Sequence, residues 1–211
     1  MTERAVFINC PFTPDYRGHF RAIIFPIVRS GFTPRCALET DDSSENRFEK
    51  ICKIIEECRY GIHDISKTEP DPASRLPRFN MPLELGLFLG AKKFGGRSQR
   101  TKKCIIFDST PYRYQQFISD IAGQDIDAHG GRAANLIEQV ATWFRDEVRD
   151  PNVPGGRAIA TEYEKFTTVV PEICALKRLD PEEITFQDYR AMAAEWIVAE
   201  SSTTARTRPP A

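Results

Sequence analysis

Short apolar runs alternate with longer helical patterns through residues 1–149, and this alternation constrains the fold more than any other feature of the sequence. The run "AVFINC" at 5–10 is β-prone, and "DYRGHFRAIIFPIVRSG" at 15–31 follows it with apolar residues at helical spacing. Similar pairs of strand and helix patterns recur as far as residue 148. Strands that alternate with helices of this length predict a parallel sheet that is covered on both faces.

The predicted fold is α/β, with a five-stranded parallel, flavodoxin-like sheet in the order 2-1-3-4-5 and right-handed crossovers between its strands. Pro34 suits an edge position for the second strand, because proline has no N–H for a sheet ladder. The other strands are expected in "YGIHDIS", "KKCIIFDS" and "QDIDAHGG".

The helical patterns also predict where the α/β domain ends. "SSENRFEKICKIIEECRYG" is the strongest helix pattern, with Ser43 or Ser44 expected as its cap, and "YRYQQFISDIAG" is also predicted to be helical. "DPNVPGGR" predicts a boundary between the α/β domain (1–149) and a helical extension (150–198). Helices are expected there at 158–177 and 181–198, the second capped by Asp180, and the tail (199–211) is expected to be disordered. The apolar face of the extension suits either packing on the domain or a dimer interface.

Composition argues against several classes of protein. The formal net charge is −1, so no overall field attracts the chain to nucleic acid or to anionic lipid. The apolar stretches are too short to span a bilayer, and "MTERAVFINCPF" does not resemble a signal peptide. We therefore expect a cytoplasmic protein that binds neither membrane nor nucleic acid directly. The six cysteines have no metal-ligand spacing and are expected to be free thiols.

Polar and aromatic side chains follow the predicted strands at their carboxyl ends, where sheets of this kind bind ligands. A loop after the third strand then leads through Arg78 to the helix that carries Glu84. Each residue of this set also has a structural alternative, such as a role in a turn or a helix cap. The residues expected at this common rim are Asn9, Phe12, Asp64, Ser66, Asn80 and Glu84.

Glu84 lies in an otherwise apolar helical stretch, "PLELGLFLGA" at 82–91. One interpretation is that Glu84 only complements the helix dipole, a contribution of about 0.3–1 kcal/mol at an exposed site. However, both faces of this helix are apolar, and burying an unpaired carboxylate is unfavourable. The pattern therefore predicts that Glu84 faces a cavity, a partner or a ligand. Burial would raise its pKa and the helix N-terminus would lower it, and the sequence leaves the balance open.

Two stretches resemble a known superfamily. "VFINCPF" resembles the first-strand signature of nucleoside 2-deoxyribosyltransferases, and "PLELGLFLGAKKFG" followed by "KKCIIF" resembles the nucleophile helix of that family and its next strand. The same stretches are similar to TIR domains, with Met81 at the position of a Cys and Glu84-Leu85 at the Glu-Leu of the NAD-cleaving members. The resemblance covers residues 5–128 and does not extend to the C-terminal helices.

This resemblance implies cleavage of an N-glycosidic bond, with Glu84 as the catalytic carboxylate. NAD or a related nucleotide would be a substrate, so no resident cofactor and no metal are expected. The chain has neither a Gly-rich dinucleotide fingerprint nor a P-loop. Small proteins of this kind also resemble bacterial immune effectors, and assembly into a homo-oligomer is expected.

On the same resemblance, several rim residues are expected to bind substrate. Asn9 and Ser66 would contact sugar or phosphate oxygens, and Asp64 would orient the sugar or the leaving base. Phe12 and Tyr16 would stack on the base. A phosphate would be held by one of three arginines, Arg35, Arg47 or Arg78.

The main alternative is a non-catalytic, TIR-like module that senses a nucleotide or mediates oligomerisation. Both interpretations use the same fold and the same rim of the sheet. They differ in whether substitution of Glu84 abolishes a reaction or changes only binding. A redox protein with FMN is a third interpretation, but the first strand is not followed by a Ser/Thr/Gly-rich phosphate loop.

Overall fold

The structure is a computed structural model that describes residues 1–39, 42, 44–71, 75–148 and 153–207. Five strands form one parallel sheet in the order β2-β1-β3-β4-β5, which confirms the predicted fold class and strand order. The strands are β1 (Thr2–Asn9), β2 (Thr33–Arg35), β3 (Cys58–Asp64), β4 (Lys103–Asp108) and β5 (Ile126–Ala128). The helices are α1 (Arg17–Arg29), α2 (Arg47–Glu57), α3 (Asn80–Phe94), α4 (Ala133–Val148), α5 (Gly156–Lys177) and α6 (Phe186–Thr207).

Alternate residues of β1 point to opposite faces of the sheet, as the period of a strand requires. Ala5 and Phe7 pack with α2 and with Phe88 of α3. Val6 and Ile8 pack on the other face, against α1 and α4. Helices therefore cover both faces, and the carboxyl ends of the strands form a rim between the two helical layers.

The ends of the first two helices follow local rules of capping. After α1, Gly31 has a φ of 76°, its N–H donates to the Val28 carbonyl at 3.0 Å, and Phe32 N–H donates to the Ile27 carbonyl at 3.0 Å. This arrangement is a Schellman motif and explains the glycine. The cap of α2 is Asn46, whose side chain accepts from the N–H groups of the first turn, so the prediction of Ser44 was wrong. Ser43 lies outside the described residues.

The segment predicted as a helix at 112–123 forms two short 3₁₀ turns instead, at Arg113–Gln116 and Ser119–Ile121. Tyr112 precedes the first turn with a φ of 61°, and Ile118 separates the turns with a φ of −149° and a ψ of 59°. These backbone angles are incompatible with a continuous α-helix, although the spacing of apolar residues suits one.

The C-terminal helices α5 and α6, together called the helix pair, pack on the α/β unit. Phe166 and Val170 are buried in the same core as α1 and α4, and Phe25 of α1 contacts both Phe166 and Trp196. This packing resolves the open choice between a core face and a free dimer face. Thr185 and Asp188 cap α6 by reciprocal hydrogen bonds, whereas Asp180 forms a turn with Glu182 N–H. Helix α6 extends through Thr207, into the segment expected to be disordered.

Gly61 in β3 allows α3 to approach the sheet closely. A Cβ atom at this position would lie 2.6 Å from His63 Nε2 and 2.9 Å from the Phe88 ring. We expect Gly61→Ala to lower the free energy of unfolding by about 1–3 kcal/mol, because the core would be overpacked. Gly90→Ala in α3 is the matched control: a Cβ there meets open space, so this change should stabilise by about 0.5–1 kcal/mol. Urea denaturation of both variants measures the difference, and equal effects would contradict the packing argument.

Candidate functional site

Glu84 lies in the second turn of α3, on the side of the helix that faces the sheet. Glu84 is only 9% exposed, and the neighbouring Met81, Leu85 and Phe88 are buried on the same side. Within the described ranges, the Glu84 carboxylate forms no hydrogen bond or ion pair. Its surroundings agree with the sequence pattern, which predicted an acid without an obvious structural function.

Burial raises the pKa of Glu84 to about 7, and the charge of Arg47 acts in the opposite direction. Burial also raises the pKa of the Cys10 thiol well above its usual range, and Asp64 and Glu84 raise it further. Cys10 therefore lies within electrostatic range of both carboxylates, at the end of β1. Glu84 would be partly ionised at neutral pH, as a group that can act either as acid or as base must be.

Asn9 holds the beginning of α3 against the sheet. Its side-chain amide donates to the Met81 carbonyl at 2.8 Å and lies 3.0 Å from His63 Nδ1. Burial, with a smaller effect from Lys102, lowers the pKa of His63 to about 3, so the ring is neutral. The neutral imidazole can then accept from Asn9 at Nδ1. This network fixes the part of α3 that carries Glu84.

Asp64 is the centre of a buried cluster that also contains Tyr16, Ser66 and His129, here called the Asp64 cluster. The Tyr16 hydroxyl donates to Asp64 Oδ2, and Ser66 N–H donates to Oδ1 at 2.8 Å. His129 Nε2 is 3.3 Å from Oδ2, and its Nδ1 accepts from Gly131 N–H. Burial alone would raise the pKa of Asp64, but these partners lower it below its usual value. The Asp64 carboxylate is therefore ionised and fully occupied by protein groups.

A cavity of about 550 Å³ opens beside this rim, between the ends of β1 and β2, α1, the start of α2 and the start of α6. Its volume is typical of sites for small molecules, about 300–1,000 Å³. We call it the α1–α6 cavity. Side chains that contribute most to its chemistry are Phe12, Phe20, Arg47, Lys50, Phe186 and Tyr189.

Glu84 is close to this cavity but is not among the described residues that line it. Pro11 follows Cys10 and Ala37 follows Cys36, and the thiols of both cysteines lie within electrostatic range of Glu84. Arg47 both lines the cavity and lowers the pKa of Glu84. Arg47 therefore connects Glu84 electrostatically with the part of the cavity lined by the start of α2.

The structure divides the other predicted site residues into four groups. Phe12 lines the α1–α6 cavity. Tyr16, Asp64 and Ser66 belong to the Asp64 cluster, and Asn9 contacts α3 as described above. Arg78 and Asn80 are exposed at the beginning of α3 and do not line the cavity within the described residues. Substrate binding by all of them stays a prediction.

The sequence interpretation missed several residues of the site. His129 follows β5, so the topology rule for strand ends would have found it. Arg35, one of the three candidates for a phosphate, instead pairs with Glu39 and Glu57. Phe186 and Tyr189 of α6 have no local signal, because only the packing of the helix pair brings them to the cavity.

Comparison of the chain with protein-family models and with curated proteins finds no match. The assignment of function therefore depends on the site itself. Among the described residues, no group of three or more His, Cys, Asp or Glu side chains is arranged to hold a metal ion. In the same part of the chain, each helix is too short or too polar to cross a membrane.

Proposed function

We propose that this protein cleaves the bond between the base and the ribose of NAD or a related nucleotide, with Glu84 as the carboxylate beside the sugar. The observation that supports the proposal is the Glu84 carboxylate, which is buried and has no hydrogen bond or ion pair within the described part of the chain. Such a group destabilises the fold unless a ligand pairs with it. A structural role therefore does not account for Glu84.

The proposed reaction needs a negative charge where Glu84 would provide one. When the bond between C1′ and the base breaks, its electrons leave with the base and the ribose becomes an oxocarbenium-like cation. An ionised Glu84 would stabilise this cation or bond to C1′. Water then supplies the oxygen that remains on C1′ and loses one proton. From NAD, whose base is cationic before cleavage, this proton is released beside a neutral base; from a nucleotide with a neutral base, the proton goes to the released base.

The pKa of Glu84 predicts how the rate should depend on pH. Because the carboxylate must be ionised and its pKa is about 7, base release should increase as the pH rises from about 6 to 8. The measurement is the release of free base from NAD by purified protein, at several pH values. A rate that is constant, or that falls over this range, would contradict the assignment of an ionised Glu84.

A nucleotide-binding module without turnover is the alternative, and one observation favours it: Glu84 is adjacent to the α1–α6 cavity instead of lining it, as far as the described residues show. The two functions are separated by incubating the protein with NAD and with deoxynucleosides at several protein concentrations. Concentration is varied because the resemblance implies assembly. Release of free base supports the glycosidase, whereas nucleotide binding without any release supports the module.

A further inference from the structure

The helix pair forms one wall of the α1–α6 cavity. The segment from Glu182 to Tyr189 contributes side chains to this wall. Among the described residues, two hydrogen bonds link this segment to the α/β unit: Arg17 donates to Glu182 at 2.6 Å, and Gln187 donates to the Glu39 carbonyl at 2.9 Å. Without the helix pair, the cavity would be open on this side.

The wall next to α6 is aromatic. Phe186 stacks on Phe20 with ring centroids 6.0 Å apart, and Phe20 meets the edge of Phe12 at 5.1 Å. The Arg21 guanidinium lies over the Tyr189 ring at 5.2 Å. These rings pack on one another and on Arg21, and together they give the cavity an apolar aromatic side that suits a nucleobase.

The part of the lining contributed by the start of α2 is polar and charged. Arg47 is exposed there, and it forms no hydrogen bond or ion pair with any other described residue. Lys50 adds a second cation one helical turn further along. The carboxylates of Asp42 and Glu45 line the same region and can accept hydrogen bonds from the hydroxyl groups of a sugar.

We propose that the helix pair completes a binding site for a nucleoside phosphate, with the base against Phe186 and the phosphate at Arg47. A nucleoside phosphate matches the three kinds of group that line the cavity: aromatic side chains, hydrogen-bond acceptors and cations. This inference depends on the proposed function only in that both concern a nucleotide. It assigns the helix pair a role in recognition, which the resemblance to known families does not cover.

Titration calorimetry of the full chain tests the site with three probes: ADP, adenosine and inorganic pyrophosphate. ADP should bind at least about tenfold more tightly than either fragment, because it contacts both the aromatic and the charged side chains. Arg47→Ala should weaken the binding of ADP about tenfold, because one charge-assisted hydrogen bond is lost. The same variant should bind adenosine with unchanged affinity. Phe186→Leu should weaken the binding of both ADP and adenosine.

Phe186 is buried, so its substitution can also weaken the fold, and Glu182→Gln provides an independent variant. The Glu182 side chain is 79% exposed and lines the cavity, and glutamine removes a negative charge that repels an anionic ligand, so ADP should bind about threefold more tightly. Glu195→Gln is the matched control, because it breaks the 2.9 Å pair with Lys177 on the same helix pair but does not line the cavity.

The inference is overturned if ADP binds no better than its fragments, or if Arg47→Ala and Glu182→Gln both bind ADP as the wild-type protein does. Base release is measured in the same samples, so the two proposals can fail separately. Nucleotide binding that depends on these residues, without base release, would contradict only the proposed function. Base release that is insensitive to Arg47, Glu182 and Phe186 would contradict only the assignment of this cavity.

Discussion

Glu84→Gln is expected to lower the rate of base release at least about 100-fold, because an amide can neither offset the charge of the oxocarbenium-like state nor bond to C1′. Glutamine has nearly the shape of glutamate, so packing around α3 should be preserved. The assay is release of free base from NAD under single-turnover conditions, with the wild-type protein in parallel. Turnover that persists in this variant would contradict the assignment of Glu84.

The same substitution should make the protein more stable at alkaline pH. The folded pKa of Glu84 is about 7 and its usual value is 4.5, so between these values the folded state binds more protons than the unfolded state. The contribution of Glu84 to stability is therefore lost as the pH rises through 7. At about pH 8, Glu84→Gln should increase the free energy of unfolding by about 1–3 kcal/mol, and at about pH 5 by close to zero.

Urea denaturation at the two pH values shows whether a loss of activity in Glu84→Gln comes from a loss of folding stability. Glu49→Gln is the matched control, because Glu49 is an exposed acid in the first turn of α2. This control should retain both the rate and the pH dependence of the wild-type protein. A Glu84→Gln variant that is less stable than the wild-type protein at pH 8 would show that the carboxylate has a structural partner.

Asp64→Ala is expected to lower the free energy of unfolding by about 3–5 kcal/mol. The Asp64 carboxylate is fully buried, and it accepts from the Tyr16 hydroxyl and from Ser66 N–H at 2.8 Å. It also faces His129 Nε2 at 3.3 Å. Alanine would leave these donors buried without an acceptor, which is more unfavourable than loss of the hydrogen bonds alone.

Ser66→Ala is the matched control for Asp64→Ala, because Ser66 contacts Asp64 through its backbone N–H. This variant should change the free energy of unfolding by less than about 1 kcal/mol. Thermal and urea denaturation give both values, and an Asp64→Ala variant within about 1 kcal/mol of the wild-type protein would contradict a structural role. Ser66→Ala also tests the prediction that the Ser66 side chain binds substrate, since only that role would weaken nucleotide binding.

Local patterns were sufficient for the sheet because strand and helix periods differ clearly along residues 1–149. They were insufficient at 112–123, where the spacing is helical but the backbone at Tyr112 and Ile118 is not. The cap of α2 also shows the limit of a local rule, since serine and asparagine are both good caps. Asn46 caps the helix, and Ser44 bonds to Asp42 instead.

The sequence by itself determined the fold class, the strand order and the position of Glu84 among apolar residues of its helix, because each depends on the pattern of apolar and polar residues within one element or its immediate neighbours. Tertiary structure alone decided the partners of Asp64 and the wall of the α1–α6 cavity. Arg17 and Glu182 meet across 165 positions of sequence, and Tyr16 and Asp64 across 48. Contacts of this kind depend on how whole helices pack, so no local periodicity records them.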